Sequence, residues 1–272
     1  MSEMILKLPT VTAPAERPLA ALRGCHDELA ARVRGLGEAD LTRQSYCAEW
    51  PVAQVLSHLG SGAEIALAQL EAARTGTTPP GPGHLRAVWA RWDARRPRQQ
   101  AAAFAETVPR LHDAIEALDD AEQRELRLYF HAGPVDLPVF LASRLAEQSL
   151  HAWDVHVAFE PAAAVDAGAV RLLAELLPFG ASMADAEVLG ALAPARLAVL
   201  ISDPARRFVL DLGAQARLCP ADDVEVPGSL RLPAEALIRL VTGRLDPAHT
   251  PPGTVAEGRP SLDDLRRLYR GY

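Results

Sequence analysis

The sequence contains a single lysine, Lys7, so arginine carries nearly all of its positive charge. Acidic residues outnumber basic ones by 35 to 28, which gives a formal net charge of -7 at pH 7 and an isoelectric point near 5.6. Proteins that bind nucleic acids normally present a basic face to the phosphate backbone. The acidic balance therefore argues against nucleic acid as a partner.

Cysteine is scarce as well, and the three cysteines, Cys25, Cys47 and Cys219, are far apart in the sequence. They provide neither the disulfide framework of a small secreted protein nor a Cys-x-x-Cys metal pair. We interpret each of them as a reduced, structural thiol. Nothing in the sequence marks Cys47 as reactive, although it lies near a candidate metal ligand.

Long apolar runs are also missing, and none approaches the ~18 residues of a membrane span. The first ten residues lack the charged start, apolar stretch and small-residue cleavage site of a signal peptide. We therefore expect a cytoplasmic protein, either a monomer or a homodimer, with no membrane partner. Its 272 residues, 49% hydrophobic and 23% charged, are typical of a globular protein with one large or two modest domains.

Helical periodicity dominates the first 160 residues. Apolar residues recur at helical spacing in four long segments, and Pro and Gly mark the connections between them. The segments are residues 19–36, 51–76, 84–120 with a break near Pro97, and 137–159. Residues 121–136 are interpreted as a connector with a turn at residues 133–134. Four long helices with short connections predict a helix bundle.

After Pro161 the pattern changes to a mixture of helices and strands. The sequence predicts a helix at residues 167–177, strands at 196–201, 207–212 and 224–226, a helix after Pro233 and a helix capped by Ser261. We therefore predict two domains, a helix bundle in residues 1–160 and a small α+β domain in residues 161–272.

The helix at residues 137–159 carries a polar stripe formed by Arg144, Glu147, His151 and Asp154. Because Glu147 and His151 are four residues apart, their side chains converge on one face and are able to hold one metal ion. The alternative is a half-buried polar stripe with a hydrogen-bonded histidine. Asp154 either accepts the second ring N–H of His151 or is an ordinary exposed carboxylate. Arg144 either binds a carboxylate of a small-molecule ligand or pairs with Glu147.

His58 lies among apolar residues of the helix at 51–76, and Gly60 and Gly62 follow it. The glycines either make room for a metal's open position or a substrate, or let two helices pack closely. His58 itself is either a hydrogen-bonded core histidine or a ligand. Metal sites in bundles are built from facing helices, so His58 together with Glu147 and His151 would supply three ligands. Two further histidines, at positions 84 and 112, fall among charged residues and are expected to be exposed.

Three segments resemble one family in the same order along the chain. Residues 47–62 contain Cys-x-x-Trp and the run HLGSG, residues 143–154 read SRLxExxxHxWD, and residues 236–244 end in Gly-Arg. Together they resemble the mycothiol-dependent maleylpyruvate isomerase family, which belongs to the DinB-like superfamily of metal-binding four-helix bundles. One departure is Glu49, where members commonly have glycine, so the substrate is expected to differ even if the metal site is retained.

The resemblance implies an α+β protein overall, with an N-terminal DinB-like four-helix bundle followed by a small C-terminal α+β domain that is sterol-carrier-like. It also implies that His58, Glu147 and His151 are metal ligands, most often for zinc, and that the cosubstrate is mycothiol or a related low-molecular-weight thiol. Arg244, in the Gly-Arg motif, is a candidate for binding an anionic substrate. The alternative for Arg244 is an arginine favoured at a helix C-terminus by the helix dipole.

Two imidazoles and one carboxylate leave one position of a tetrahedral zinc open, as in catalytic sites. A thiol bound there is deprotonated and becomes a strong nucleophile. The expected activity is a thiol-dependent S-transferase or cis–trans isomerase acting on a small electrophile. The alternatives are a non-catalytic protein that binds a metal or ligand, and a metal-dependent hydrolase of thiol conjugates. Nickel or iron would also suit these ligands.

Overall fold

The computed structural model describes residues 15–130, 133–221 and 225–271. The described chain forms two compact units, one ending at Ala169 and one beginning at Val170. The boundary predicted at residue 161 lies shortly before this division and stays a prediction.

The N-terminal unit is mostly helical. Its helices are α1 (Glu16–Arg34), α2 (Glu38–Leu41), α3 (Val52–Thr75), α4 (Pro82–Asp93), α5 (Pro97–Glu116), α6 (Asp120–Glu125) and α7 (Leu137–His156), and α8 (Ala167–Leu173) lies at the division between the units. The four longest helices pack as a bundle, with α3 against α5 and α7, and α1 against α5 and α7. The predicted helical bundle is therefore confirmed.

A short hairpin precedes α7, where the sequence analysis placed only a connector, so that prediction is wrong. Strands β1 (Arg127–Phe130) and β2 (Gly133–Asp136) pair antiparallel, with Leu128 opposite Val135. Both of these side chains are buried. With four residues each, the strands are too short to show a clear alternation in the sequence. The hairpin leads directly into α7, because Asp136 ends β2 and accepts a hydrogen bond from Val139 N at 3.0 Å as the helix cap.

Gly60 explains why α3 and α4 approach so closely. A Cβ atom built on Gly60 would lie 2.2 Å from Cη2 of Trp92, which is fully buried on α4. Of the two roles considered for this glycine, close helix packing is therefore the one that the structure supports.

His112 is buried at 2% exposure, so the expectation of an exposed residue is wrong, whereas His84 is exposed as expected. The His112 ring packs edge-on against the His26 ring of α1, with centroids 5.9 Å apart. Val108, Leu111 and Ile115 are buried on the same helix. This apolar face is wide enough to include residue 112, which the charged neighbours in the sequence conceal.

The C-terminal unit is built on one five-stranded sheet, and the predicted α+β class is confirmed. The strands are β3 (Ala195–Ser202), β4 (Arg206–Leu212), β5 (Ala216–Pro220), β6 (Gly228–Pro233) and β7 (Val255–Glu257), and the helices are α9 (Leu177–Ser182), α10 (Ala186–Leu192), α11 (Ala234–Val241) and α12 (Leu262–Leu268). The strand order is β5-β4-β3-β6-β7, with β3 and β6 parallel and the other pairs antiparallel.

The strand predicted at residues 224–226 is wrong in position. Residue 224 lies outside the described residues, and Glu225 and Val226 are not in a strand. Strand β6 instead begins at Gly228, where Leu230 and Leu232 alternate with more exposed neighbours. The predicted cap of the last helix is present, since Ser261 Oγ accepts from Asp264 N at 3.2 Å.

Among the described helices, none is long and apolar enough to cross a lipid bilayer.

Candidate metal centre

The structure brings His58, Glu147 and His151 together between α3 and α7. One potential ligand atom from each residue lies within 4.8 Å of the other two. Glu147 Oε2 is 2.9 Å from His58 Nε2 and 3.8 Å from His151 Nε2. The centroids of the two imidazole rings are 4.8 Å apart. These three residues, called the ligand trio below, are the ones singled out by the sequence.

Local sequence explains how the two helices position the trio. Val55 and Leu59 flank His58 on α3 and are completely buried, which keeps the imidazole at the edge of the core. On α7, Leu145 and Leu150 are buried beside the ligand positions. Glu147 and His151 are four residues apart and therefore share one face of the helix.

Asp154 fixes the orientation of His151. Its carboxylate is completely buried, and Oδ2 lies 2.8 Å from Nδ1 of His151. A carboxylate accepts hydrogen bonds, so the proton of the imidazole is held on Nδ1 and the lone pair of Nε2 faces the other two members of the trio. The alternative considered for Asp154, an ordinary exposed carboxylate, is therefore wrong.

Cys47 joins this hydrogen-bond chain, which the sequence analysis did not anticipate. Its Sγ lies 3.1 Å from Asp154 Oδ2 and 3.9 Å from His151 Nδ1. Cys47, Asp154 and His151 form a second group whose ligand atoms are within 4.8 Å of one another. The thiol donates to a carboxylate that already holds the His151 proton, so Cys47 supports the orientation of the imidazole. The only sequence signal for this was the Cys-x-x-Trp spacing.

Trp50 covers the two imidazoles. Its ring centroid lies 5.0 Å from that of His58 and 5.8 Å from that of His151. The loop before α3 holds this tryptophan in place, because Ser45 Oγ donates to Trp50 O at 2.6 Å and Trp50 N donates to Cys47 O at 3.0 Å. The same short loop therefore positions both Cys47 and Trp50. The neighbouring Glu49 is exposed.

The charge of Glu147 is suited to a metal ligand. Burial by itself raises the pKa of this carboxyl group, but the hydrogen bond from His58 and the electrostatic interactions with His151, Arg144 and His58 outweigh it and lower the pKa to about 2. Glu147 is therefore an anion at neutral pH.

Arg144 lies one helical turn before Glu147, and its guanidinium group rests on Gly62 of α3. A Cβ atom built on Gly62 would lie 3.1 Å from Arg144 Nη1 and 3.2 Å from Nη2. The predicted pair with Glu147 is not formed, because no hydrogen bond or ion pair joins the two side chains in the described part of the structure. Gly62 thus makes room for an arginine side chain rather than for close helix packing.

Arg244 belongs to the C-terminal unit and is described with that unit alone. It follows Gly243, whose φ of +72° lies in the left-handed region. The Arg244 side chain is half-buried, and Nη1 donates to Thr242 O at 3.0 Å. Its role in binding an anionic substrate stays a prediction.

The trio fits a divalent metal. Zinc bonds of about 2.0–2.2 Å to nitrogen and oxygen place tetrahedral ligands about 3.3 Å apart. The two distances to Glu147 Oε2, 2.9 and 3.8 Å, lie on either side of that value. The three donors therefore have the chemistry and the approximate spacing that one divalent ion requires.

Comparisons with known proteins agree with this architecture. Residues 22–156 match a family described as the mycothiol maleylpyruvate isomerase N-terminal domain. A crystal structure of the mycothiol-dependent maleylpyruvate isomerase is similar at 17% identity with a TM-score of 0.64, over 90% of this chain and 93% of that one. A histidine-to-alanine mutant of that enzyme is similar at 16% identity with the same TM-score and coverage. A comparison with curated protein sequences gave no match. The family match lies entirely within the N-terminal helical unit, and that unit is therefore similar to the N-terminal domain of mycothiol maleylpyruvate isomerase.

Proposed function

We propose that the protein is a metal-dependent enzyme that uses a low-molecular-weight thiol, of the mycothiol type, as an S-transferase or cis–trans isomerase of a small electrophile. The observation that carries this proposal is the convergence of His58, Glu147 and His151, with Asp154 directing Nε2 of His151 towards the trio. The family and the similar solved structures, which are named for a mycothiol-dependent isomerase, support the same reaction class.

In this proposal the trio holds one divalent ion, most suitably zinc, and leaves a position open for a ligand. Such an ion acts as a Lewis acid and lowers the pKa of a thiol that reaches it. Glu147 supplies negative charge, and Asp154 keeps the His151 proton on Nδ1. Trp50 covers the imidazoles and limits the approach of water from its side.

The nucleophilic sulfur is not expected to come from the protein. Cys47 is the cysteine nearest to the trio, and its thiol is directed at the Asp154 carboxylate. Its contacts lie on the Nδ1 side of His151, away from the Nε2 atom that faces the trio. An external thiol therefore supplies the chemistry that Cys47 does not provide, and the chain's own task is to bind that thiol beside the electrophile.

The test combines metal analysis with mass spectrometry of products. We expect purified protein to contain one metal ion per chain and to convert electrophiles from a panel only when mycothiol is added. A product heavier by the mass of the thiol indicates transfer, and a product of unchanged mass with altered retention indicates isomerisation.

The variant His151→Ala should lose both the metal and the activity, while His84→Ala, which changes an exposed histidine of the same unit, should keep both. Metal retained without turnover of any thiol conjugate would favour a binding protein. Turnover that needs no added thiol would favour a hydrolase. Full activity in His151→Ala would rule out the proposed site.

A further inference from the structure

Several arginines of the helical unit are paired with acidic side chains, whereas Arg144 is not paired in the part of the chain that the structure describes. Arg32, Arg74 and Arg91 each form an ion pair with a glutamate. Arg144 is half-buried, yet within the described residues it has neither a hydrogen-bond nor an ion-pair partner. Its guanidinium is always protonated and provides five N–H donors.

Two helices fix the place of this guanidinium relative to the ligand trio. Arg144 precedes Glu147 by three residues on α7. Gly62, against which the guanidinium packs, follows His58 by four residues on α3. Residues three or four apart on a helix have Cβ atoms about 5–6 Å from each other. The guanidinium therefore lies about one helical turn from the trio along both helices.

A guanidinium that is partly removed from water gains free energy when a ligand supplies hydrogen-bond acceptors. Burial lowers the pKa of Arg144, and the nearby negative charge of Glu147 opposes that change. One turn further along α7, Gln148 is 1% exposed, and its Nε2 has no hydrogen-bond partner in the described structure. Two successive donors on one side of α7 thus lack acceptors.

We infer that Arg144 binds a carboxylate group of a small molecule that reacts at the trio. Gly62 provides the space in which the guanidinium lies. The inference rests on the proposed function and adds a specificity-determining residue to it. A guanidinium matches a carboxylate with two parallel hydrogen bonds, which fixes the orientation of the ligand as well as its position. The carboxylate belongs either to the electrophile or to the thiol.

The test measures binding and does not depend on turnover. Dissociation constants are obtained by NMR titration of the metal-loaded protein with two pairs of probes. Levulinate and methyl levulinate represent the electrophile, with and without its carboxylate. Mercaptoacetate and 2-mercaptoethanol represent the thiol in the same way. For one of the two pairs, we expect the carboxylate form to bind the wild-type protein about ten- to a hundredfold more tightly, as for a charge-assisted bidentate contact. The pair that shows the preference identifies the source of the carboxylate.

Four variants examine the assignment. Arg144→Met should abolish the preference, and Arg144→Lys should retain only part of it, because a lysine keeps the charge and loses the fork. Gly62→Ala keeps the arginine but places a methyl group against its guanidinium. The preference for the carboxylate form should therefore fall severalfold while the metal content stays the same. Arg91→Met, on the neighbouring helix, removes an arginine paired with Glu64 and should leave the preference unchanged.

Failure of this inference is distinguishable from failure of the proposed function. If Arg144→Met and Gly62→Ala keep the wild-type preference, or if the wild type shows none for either pair, Arg144 is not the carboxylate-binding residue, even if thiol-dependent turnover is present. If the protein shows no turnover but Arg144→Met and Arg144→Lys lose the carboxylate preference, the binding site stands and the proposed reaction does not.

Discussion

Replacing Asp154 by asparagine tests how the site is built, because the change keeps the shape of the side chain and removes its charge. In the structure, Oδ2 of Asp154 lies 2.8 Å from Nδ1 of His151 and 3.1 Å from Sγ of Cys47. An amide that turns its NH2 group towards His151 requires the imidazole proton to move to Nε2, the nitrogen that faces the ligand trio. An amide that turns its oxygen towards His151 is a weaker acceptor than a carboxylate.

The magnitude follows from the role of the carboxylate. Loss of a group that orients a metal-binding histidine typically lowers metal affinity about 10- to 100-fold, which corresponds to about 1.4–2.7 kcal/mol. The zinc affinity of Asp154→Asn is measured by competition with a chromophoric chelator at pH 7.5. Urea unfolding of the metal-free protein then separates a loss of affinity from a loss of folding.

Asp93→Asn is the matched control. Like Asp154, Asp93 accepts two side-chain hydrogen bonds. Its Oδ1 lies 2.8 Å from Gln54 Nε2 and 3.0 Å from Ser57 Oγ, both on α3. The control should bind zinc as the wild type does. If Asp154→Asn binds zinc within twofold of the wild type while remaining folded, Asp154 does not orient His151 for a metal and the reasoning above is wrong.

Three further predictions concern the stability of the two units. Gly60→Ala should lower the free energy of unfolding by about 1–3 kcal/mol in urea titration, because overpacking against Trp92 outweighs the ~1 kcal/mol gained in helix propensity; an unchanged or higher stability would contradict the close packing seen there. Burial lowers the pKa of His112 from 6.5 to about 3, so its neutral form stabilises the fold above pH 6.5 and that contribution is lost as the pH falls towards 3. Between pH 7 and 5 the wild type should therefore lose about 2 kcal/mol more than His112→Leu, and equal losses would refute this. Arg239 is 2% exposed, and its Nε and Nη2 donate to Glu235 at 2.7 and 2.9 Å. Arg239→Met should therefore lower the free energy of unfolding by about 3–5 kcal/mol, visible as unfolding of the C-terminal unit at a lower urea concentration. Retention of wild-type stability would contradict a structural role for this pair.

The helices were predictable because their apolar residues recur with the 3.6-residue period of an α-helix. The polar stripe on α7 was predictable for the same reason, since the spacing of Glu147 and His151 places both on one face. That His58 of α3 faces this stripe depends on how two helices pack. The general rule that metal sites in bundles are built from facing helices suggests this grouping, and the resemblance to a family supports it.

What the sequence did not reveal depends on contacts between segments. Nothing local indicates that Cys47 meets Asp154, because the loop and the end of α7 are about a hundred residues apart. Nothing in the sequence indicates that Gly62 makes room for the guanidinium of Arg144. The charged neighbours of His112 in the sequence suggest an exposed residue, whereas the breadth of the apolar face of α5 determines that it is buried. The short strands of the hairpin and β6 carry too few residues for their alternation to be recognised.

The position of Trp50 gives the site its own optical reporter. The indole ring lies against both imidazoles, and a change in the charge or coordination of either ring alters the emission of an adjacent tryptophan. Occupation of the trio should therefore be visible as a change in intrinsic fluorescence, without an added dye. Trp50→Phe would silence that signal while leaving the emission of the tryptophans on α4 and α7 in place.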